Sequence, residues 1–280
     1  MRRKKLPTRL TEGLNSEYSG LIMSRPKINF DMKKIKLFLI LILTSLLQLS
    51  AADSSVIPIR ILVITGGHDY QKEQFNQMLA GLGENITYQI AVLPAAYDMF
   101  LPQYRDKYDV LVFYHMWQDI TDEQKKVFSD CIANGKPLVA LHHSLCAYDN
   151  WPEYFSIIGG KYFHKPTVLN GKEYLACSYI HDVDLKVKIA DKGHPVTAGI
   201  DDFEIFDETY KGYYIDPGVT PLLSTDEQSS TPVIGWAKKY GKARVVTFQS
   251  GHDVPTFENP NFRKLLKQAI EWVYNSGESN

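Results

Sequence analysis

Four short runs of apolar, largely β-branched residues set the first limit on the fold. Residues 59–64 (Ile-Arg-Ile-Leu-Val-Ile), 87–93, 109–114 and 137–141 carry apolar side chains at neighbouring positions as well as alternate ones. Such strands must be covered on both faces, as in a parallel sheet layered by helices. The first run passes straight into Thr65-Gly66-Gly67-His68-Asp69 and then a helix-like stretch to Gly81. Between the third and fourth runs, Thr121 can cap a helix whose Gln124 reaches back three residues. Val127, Phe128, Cys131 and Ile132 follow at helical spacing, and Gly135 closes the element. Strands alternating with helices predict an α/β fold with a doubly wound, mostly parallel sheet.

Residues 171–246 follow another pattern. Their strands alternate and are hairpin-like, with turn signals at Asp216-Pro217-Gly218 and Tyr240-Gly241. They read as a β-rich insertion that rejoins the sheet through residues 243–248. A last helix over 261–274 places Phe262, Leu265, Leu266, Ala269, Trp272 and Val273 on one face. With no repeat and no long linker, residues 53–280 are expected to form a single domain.

The amino terminus reads as a targeting segment. Lys33, Lys34 and Lys36 precede an apolar stretch of thirteen residues from Leu37 to Leu49, and Ser50 and Ala52 stand where a signal peptidase would cut before Asp53. The stretch is short for a membrane span, which needs about 20 apolar residues, so no stable span is expected after cleavage; an uncleaved anchor is the alternative. Residues 1–31 are polar and unpatterned, an extension ahead of a start at Met32. The expected location is periplasmic or secreted.

Residues 53–280 carry 21 basic against 29 acidic side chains, a net of about eight negative charges. That balance argues against a nucleic-acid partner, which needs excess Lys and Arg to displace counterions. Cys131, Cys146 and Cys177 are too few and too widely spaced for a disulfide framework, and no C-x-x-C is present.

Ligands of open α/β sheets bind beyond the carboxyl ends of the strands. Five of the eight histidines fall there: His68, His115, His142, His143 and His252 each end or follow a predicted strand. Imidazoles at such positions can be ordinary loop polarity, acid-base groups or metal ligands. Glu208, in Phe206-Asp207-Glu208-Thr209-Tyr210, is the carboxylate expected to join them. Its neighbour Asp207 should face the other way. Gly67 could bring backbone N–H groups to a ligand, and Trp117 and Tyr210 are aromatics near the same edge. The glycine turn matches neither nucleotide-binding pattern, so no nucleotide cofactor is expected. Neither a G-x-S-x-G elbow nor an H-E-x-x-H helix occurs.

Seven blocks in order carry a resemblance: Thr65-Gly66-Gly67-His68, Leu141-His142-His143-Ser144, Gly159-Gly160 with Phe163-His164, His194-Pro195-Val196-Thr197, Asp207-Glu208-Thr209-Tyr210, Gly241-Lys242-Ala243-Arg244-Val245 and Gly251-His252-Asp253. Together the chain resembles the ThuA-like, trehalose-utilisation family. The resemblance implies a flavodoxin-like fold akin to the class I glutamine amidotransferases, and a part in the metabolism of trehalose-like or keto sugars. It also implies that His142 and His143 occupy the turn where those amidotransferases carry their cysteine, so that a Cys-dependent amidotransferase is not expected.

The resulting expectation is an exported carbohydrate-processing protein. His142, Glu208 and His252 would be catalytic, and Gly67, His68, His115, Trp117, His143 and Tyr210 would bind substrate. A divalent transition metal such as zinc suits imidazoles with one carboxylate. The alternative is a sugar- or glycan-binding module without turnover.

Overall fold

The computed structural model describes residues 57–275, together with Lys33 and Lys36. The chain divides into two units, Met1–Ser55 and Val56–Asn280. Apart from Lys33 and Lys36, which are helical, the expected signal segment lies outside the described residues. No helix among the described residues is long and apolar enough to cross a membrane.

In the second unit, the four apolar runs form β1 (Ile59–Gly66), β2 (Ile86–Val92), β3 (Val110–His115) and β4 (Leu138–Leu141). They pair in parallel in the order β2-β1-β3-β4. Two small ladders follow. In one, β5 (Gly160–Lys161) pairs with β10 (Tyr214–Ile215); in the other, β6 (Thr167–Leu169) pairs with β7 (Lys172–Tyr174). The β-rich insertion supplies β8 (Ser178–Ile189), β9 (Phe203–Lys211), β11 (Thr220–Ser224) and β12 (Val233–Tyr240). The chain returns in β13 (Ala243–Phe248), which lies parallel to β4. From β13 the sheet continues antiparallel as β12-β11-β8-β9, giving nine strands. The expected α/β sheet, parallel at its core with a β-rich insertion, is the one observed.

Alternation along the strands splits the interior in two. Ile61 and Val63 of β1 join the core under α1 (Lys72–Ala80) and the late helices α4 (Val254–Glu258) and α5 (Pro260–Tyr274). Leu62 and Ile64 join the core under α2 (Asp122–Ala133) and α3 (Pro152–Ile158). Each fully buried Leu, Ile or Phe contributes about 1.5–3 kcal/mol relative to exposure, so the two layers hold the sheet between them. Helix α2 opens on the expected capping box, with Thr121 and Gln124 exchanging hydrogen bonds of 3.2 and 2.9 Å. Helix α5 carries Phe262, Leu265, Leu266, Ala269 and Val273 inward, while Trp272 is only partly buried.

Register brings the strand ends together. Leu141 of β4 pairs with Phe248 of β13, and Gly66 of β1 with His115 of β3. The segments leaving those strands, including His142, Gln249 and His68, therefore start side by side at the carboxyl edge.

Candidate functional site

His142 is the first residue beyond β4, fully buried, with a left-handed backbone at φ +40°. Only a tightly determined turn holds a non-glycine residue there. Its Nδ1 lies 2.5 Å from the carbonyl oxygen of Gln249. A carbonyl only accepts, so Nδ1 carries the proton and a neutral ring keeps its lone pair on Nε2. That atom stands 2.9 Å from the Tyr210 hydroxyl, 2.9 Å from Glu208 Oε2 and 3.2 Å from His252 Nδ1. His252 Nδ1 is in turn 3.3 Å from Glu208 Oε2. Three lone-pair atoms thus form a nearly equilateral triangle, which a shared proton or a cation between them satisfies.

Burial opposes ionisation of Glu208, but its close contacts with the His142 and His252 rings outweigh it and hold its carboxyl well below the usual range. His252 responds in the opposite sense. Burial lowers its pKa, yet the contact with Glu208 raises it overall. His143 is pushed well below the ordinary imidazole value, first by burial and then by the surrounding histidines, so it is neutral. With His142, Glu208 and His252 it completes a set of four side chains whose ligand atoms lie within 4.8 Å of one another.

The supports come from β9, β3 and the turn after β13. Asp207 and Glu208 are neighbours on β9 and face opposite ways, as the strand period requires. Asp207 accepts the backbone N–H groups of Gly251 and His252, each at 2.9 Å. The hydroxyl of Tyr114 donates to the carbonyls of the same two residues at 3.0 Å. Gln249 Nε2 donates to the Glu208 carbonyl at 2.8 Å. The turn bearing His252 is therefore clamped from both sides.

The structure brings Glu208, His252, His143, His68, Trp117 and Tyr210 to the wall of one cavity of about 130 Å³, with His142 immediately behind it. The His68 and His143 rings pack at 4.2 Å. Gly67 stands one step away, at the adjoining cleft beside His68. Its φ is +80°, and a Cβ there would fall 1.6 Å from the Met116 carbonyl oxygen, so this glycine is needed for close backbone approach.

His115 is not at the cavity. Strand alternation sends Tyr114 towards His143 and His115 to the opposite face, against Phe113, Tyr148 and Tyr154. It is fully buried, neither ring nitrogen has a hydrogen-bond partner, and burial lowers its pKa to about 3. Cys146 does line the cavity, but burial pushes its thiol up to about 12, which leaves it a poor nucleophile at neutral pH.

Two cavity histidines lie outside the predicted set. Across β8 and β9, Ile180 pairs with Thr209 and Val183 with Asp207, so His181 and Asp182 together oppose the single residue Glu208. This bulge, with Asp182 at φ +59°, puts His181 Nδ1 3.5 Å from Glu208 Oε1. His164 accepts the Trp117 indole N–H at 2.9 Å. A bulge has no sequence mark inside an alternating strand, and His164 had only its place in the Phe163-His164 pair.

The profile of the ThuA family, described as trehalose utilisation, matches residues 60–273. No curated protein matches. A solved protein of Parabacteroides merdae described as ThuA-like is 19% identical, with a TM-score of 0.64 over 78% of this chain and 90% of its own. A second, from Bacteroides uniformis and likewise described as ThuA-like, is 17% identical, with a TM-score of 0.60 over 80% of this chain and 94% of its own. These two share the fold. With the profile spanning strands, insertion and the turns that carry the histidines, the chain belongs to the ThuA trehalose-utilisation family.

Proposed function

We propose that this protein is an exported enzyme acting on trehalose-like or keto sugars, with His142, Glu208 and His252 at the reacting hydroxyl or carbonyl group. The observation that carries the reading is the triangle of His142 Nε2, Glu208 Oε2 and His252 Nδ1, with sides of 2.9, 3.2 and 3.3 Å. Ligand atoms bound about 2.0–2.1 Å from a zinc-like ion stand about 3.0–3.4 Å apart, so the three atoms fit a divalent transition metal. His142, Glu208 and His252 would hold it, with His143 beside them. The Nδ1–H bond of His142 to a backbone carbonyl is the outer support that metal-ligating histidines usually have. A bound divalent ion would polarise a sugar oxygen.

The chain's own groups supply the rest. Glu208 and His252 form a carboxylate-imidazole pair able to take up and return a proton. His68 and His143 line the same wall, and Tyr210 keeps its proton because burial raises its pKa well above the ordinary value. Trehalose utilisation, the description of the family, supports a sugar as substrate. Export rests on the signal-like segment at residues 32–52. N-terminal sequencing of protein recovered from the periplasm should begin at Asp53; a product that keeps residues 32–52 would remove that part of the reading.

The test of the site is elemental analysis of residues 53–280, purified untagged and without chelator, beside His142→Ala and His252→Ala. About one transition metal per chain, lost in both variants, is expected. A folded wild-type protein that takes up no zinc, cobalt or manganese when offered them would remove the metal and leave acid-base chemistry by the same three residues. Saturable binding of disaccharides with no turnover of any of them would instead identify a sugar-binding module.

A further inference from the structure

Beyond Trp117 the histidine cavity meets a second, larger cleft. Trp117 lines both, and the outer cleft, about 540 Å³, is walled by Gln118, Asp119, Asp149, Asn150 and Trp151 as well. The inner cavity of about 130 Å³ is smaller than the few hundred cubic ångströms a complete small-molecule site occupies. The outer cleft is of that size. The two together, not the inner one alone, have room for a two-ring ligand.

Trp117 is built to stand between them. The residue is 56% exposed although Trp is usually well covered, and its backbone is left-handed at φ +38°. The indole N–H is held by His164, and Gln118 Nε2 donates to the carbonyls of Met116 and Trp117 at 2.9 and 3.0 Å. An exposed ring fixed in this way offers an apolar face without further ordering cost. In the same cleft, Asp149 is anchored by the ammonium of Lys161 at 3.1 Å; Lys161 is itself buried and also donates to the Ala147 carbonyl. Asp149, Asp119 and Asn150 present acceptors to a ring of hydroxyls.

We propose that the outer cleft is a second sugar subsite, so that the substrate is an uncharged disaccharide or similar glycoside. Its reacting ring enters the histidine cavity, and its second ring lies beyond Trp117 against Asp119, Asp149 and Asn150. The inference rests on the sugar reading above. With Lys161 paired to Asp149, the carboxylates of Asp119 and Asp149 leave the cleft, whose lining holds Lys125, without the excess of positive charge that a phosphate would need.

Isothermal titration calorimetry of residues 53–280 with glucose and with its disaccharides trehalose, maltose and cellobiose tests the proposal. Trehalose 6-phosphate is the charged control. At least one disaccharide is expected to bind about tenfold more tightly than glucose, and Trp117→Ala, and separately Asp119→Asn with Asn150→Ala, should bring that ratio towards one. Glucose binding with no disaccharide preference, or a preference that both variants retain, overturns the second subsite and leaves the inner site standing. Tighter binding of trehalose 6-phosphate than of trehalose overturns the uncharged class. If no sugar binds, glucose included, the sugar reading itself falls and takes this inference with it.

Discussion

His142 and Gln249 leave adjacent parallel strands side by side, and the imidazole Nδ1–H points at the Gln249 carbonyl oxygen over 2.5 Å. One contact thereby sets the tautomer of the central histidine and turns its free nitrogen to Glu208. Removing the ring has two costs, the buried carbonyl left unpaired and the left-handed backbone imposed on the replacement. The first is shared by His142→Ala and His142→Gly, at about 1–3 kcal/mol. The second falls on alanine alone. Chemical denaturation should find His142→Gly more stable than His142→Ala by about 1 kcal/mol; the reverse order would show that the +40° backbone relaxes freely.

Asp207 is a positioning residue, since both of its oxygens accept backbone N–H groups of the 251–252 turn. Asp207→Asn places an NH2 against one of those donors. A loss of about 1–3 kcal/mol in stability is expected, together with weaker metal uptake through a displaced His252. Asp207→Ser, too short to clamp both groups, should fall further. Unchanged metal affinity in both variants would separate the clamp from the site.

Acid should destabilise the protein through His115. Its folded pKa is lowered to about 3 by burial, against about 6.5 in an unfolded chain. Between those values the unfolded state binds more protons, so stability is intact above the unfolded value and falls as pH drops, by about 1.4 kcal/mol per pH unit. His115→Leu keeps the packing against Phe113 and Tyr148 and removes the titration. Urea denaturation at pH 7.5, 5.5 and 4.5 should show a flatter pH dependence for the variant by about that slope; equal slopes would mean that His115 is not buried neutral.

Gly67→Ala is expected to be among the most damaging single-methyl changes in the chain. The added carbon meets the Met116 carbonyl at 1.6 Å, in a backbone conformation at φ +80°. The turn must move, and His68 and Trp117 with it. A loss above about 3 kcal/mol is expected, seen as a lower Tm. Gly171→Ala is the control, with φ +76° but open space around the new carbon, and should lose only about 1 kcal/mol.

The parallel half of the sheet was legible because uninterrupted apolar runs leave few other folds, and strand ends then locate a site. That logic placed His142, Glu208 and His252 together although 66 and 110 residues separate His142 from the other two. It failed for His115 because only one of two successive residues at a strand end can face the ligand, and Tyr114 takes that side. It could not reach His181, whose approach to Glu208 depends on one extra residue in a ladder. Asp149 and Lys161 were hidden for a different reason, since a buried lysine reads as an ordinary surface charge until its partners are seen.

The clamp at residues 249–252 also fixes when in synthesis the histidine cluster can form. During synthesis, the turn bearing His142 emerges more than a hundred residues before Gln249 and His252. Until β13 is laid beside β4, the central histidine has neither the carbonyl that orients it nor the imidazole that faces it. A nascent or truncated chain lacking its last forty residues therefore lacks both partners of His142, and docking of β13 is the event that completes the histidine cluster.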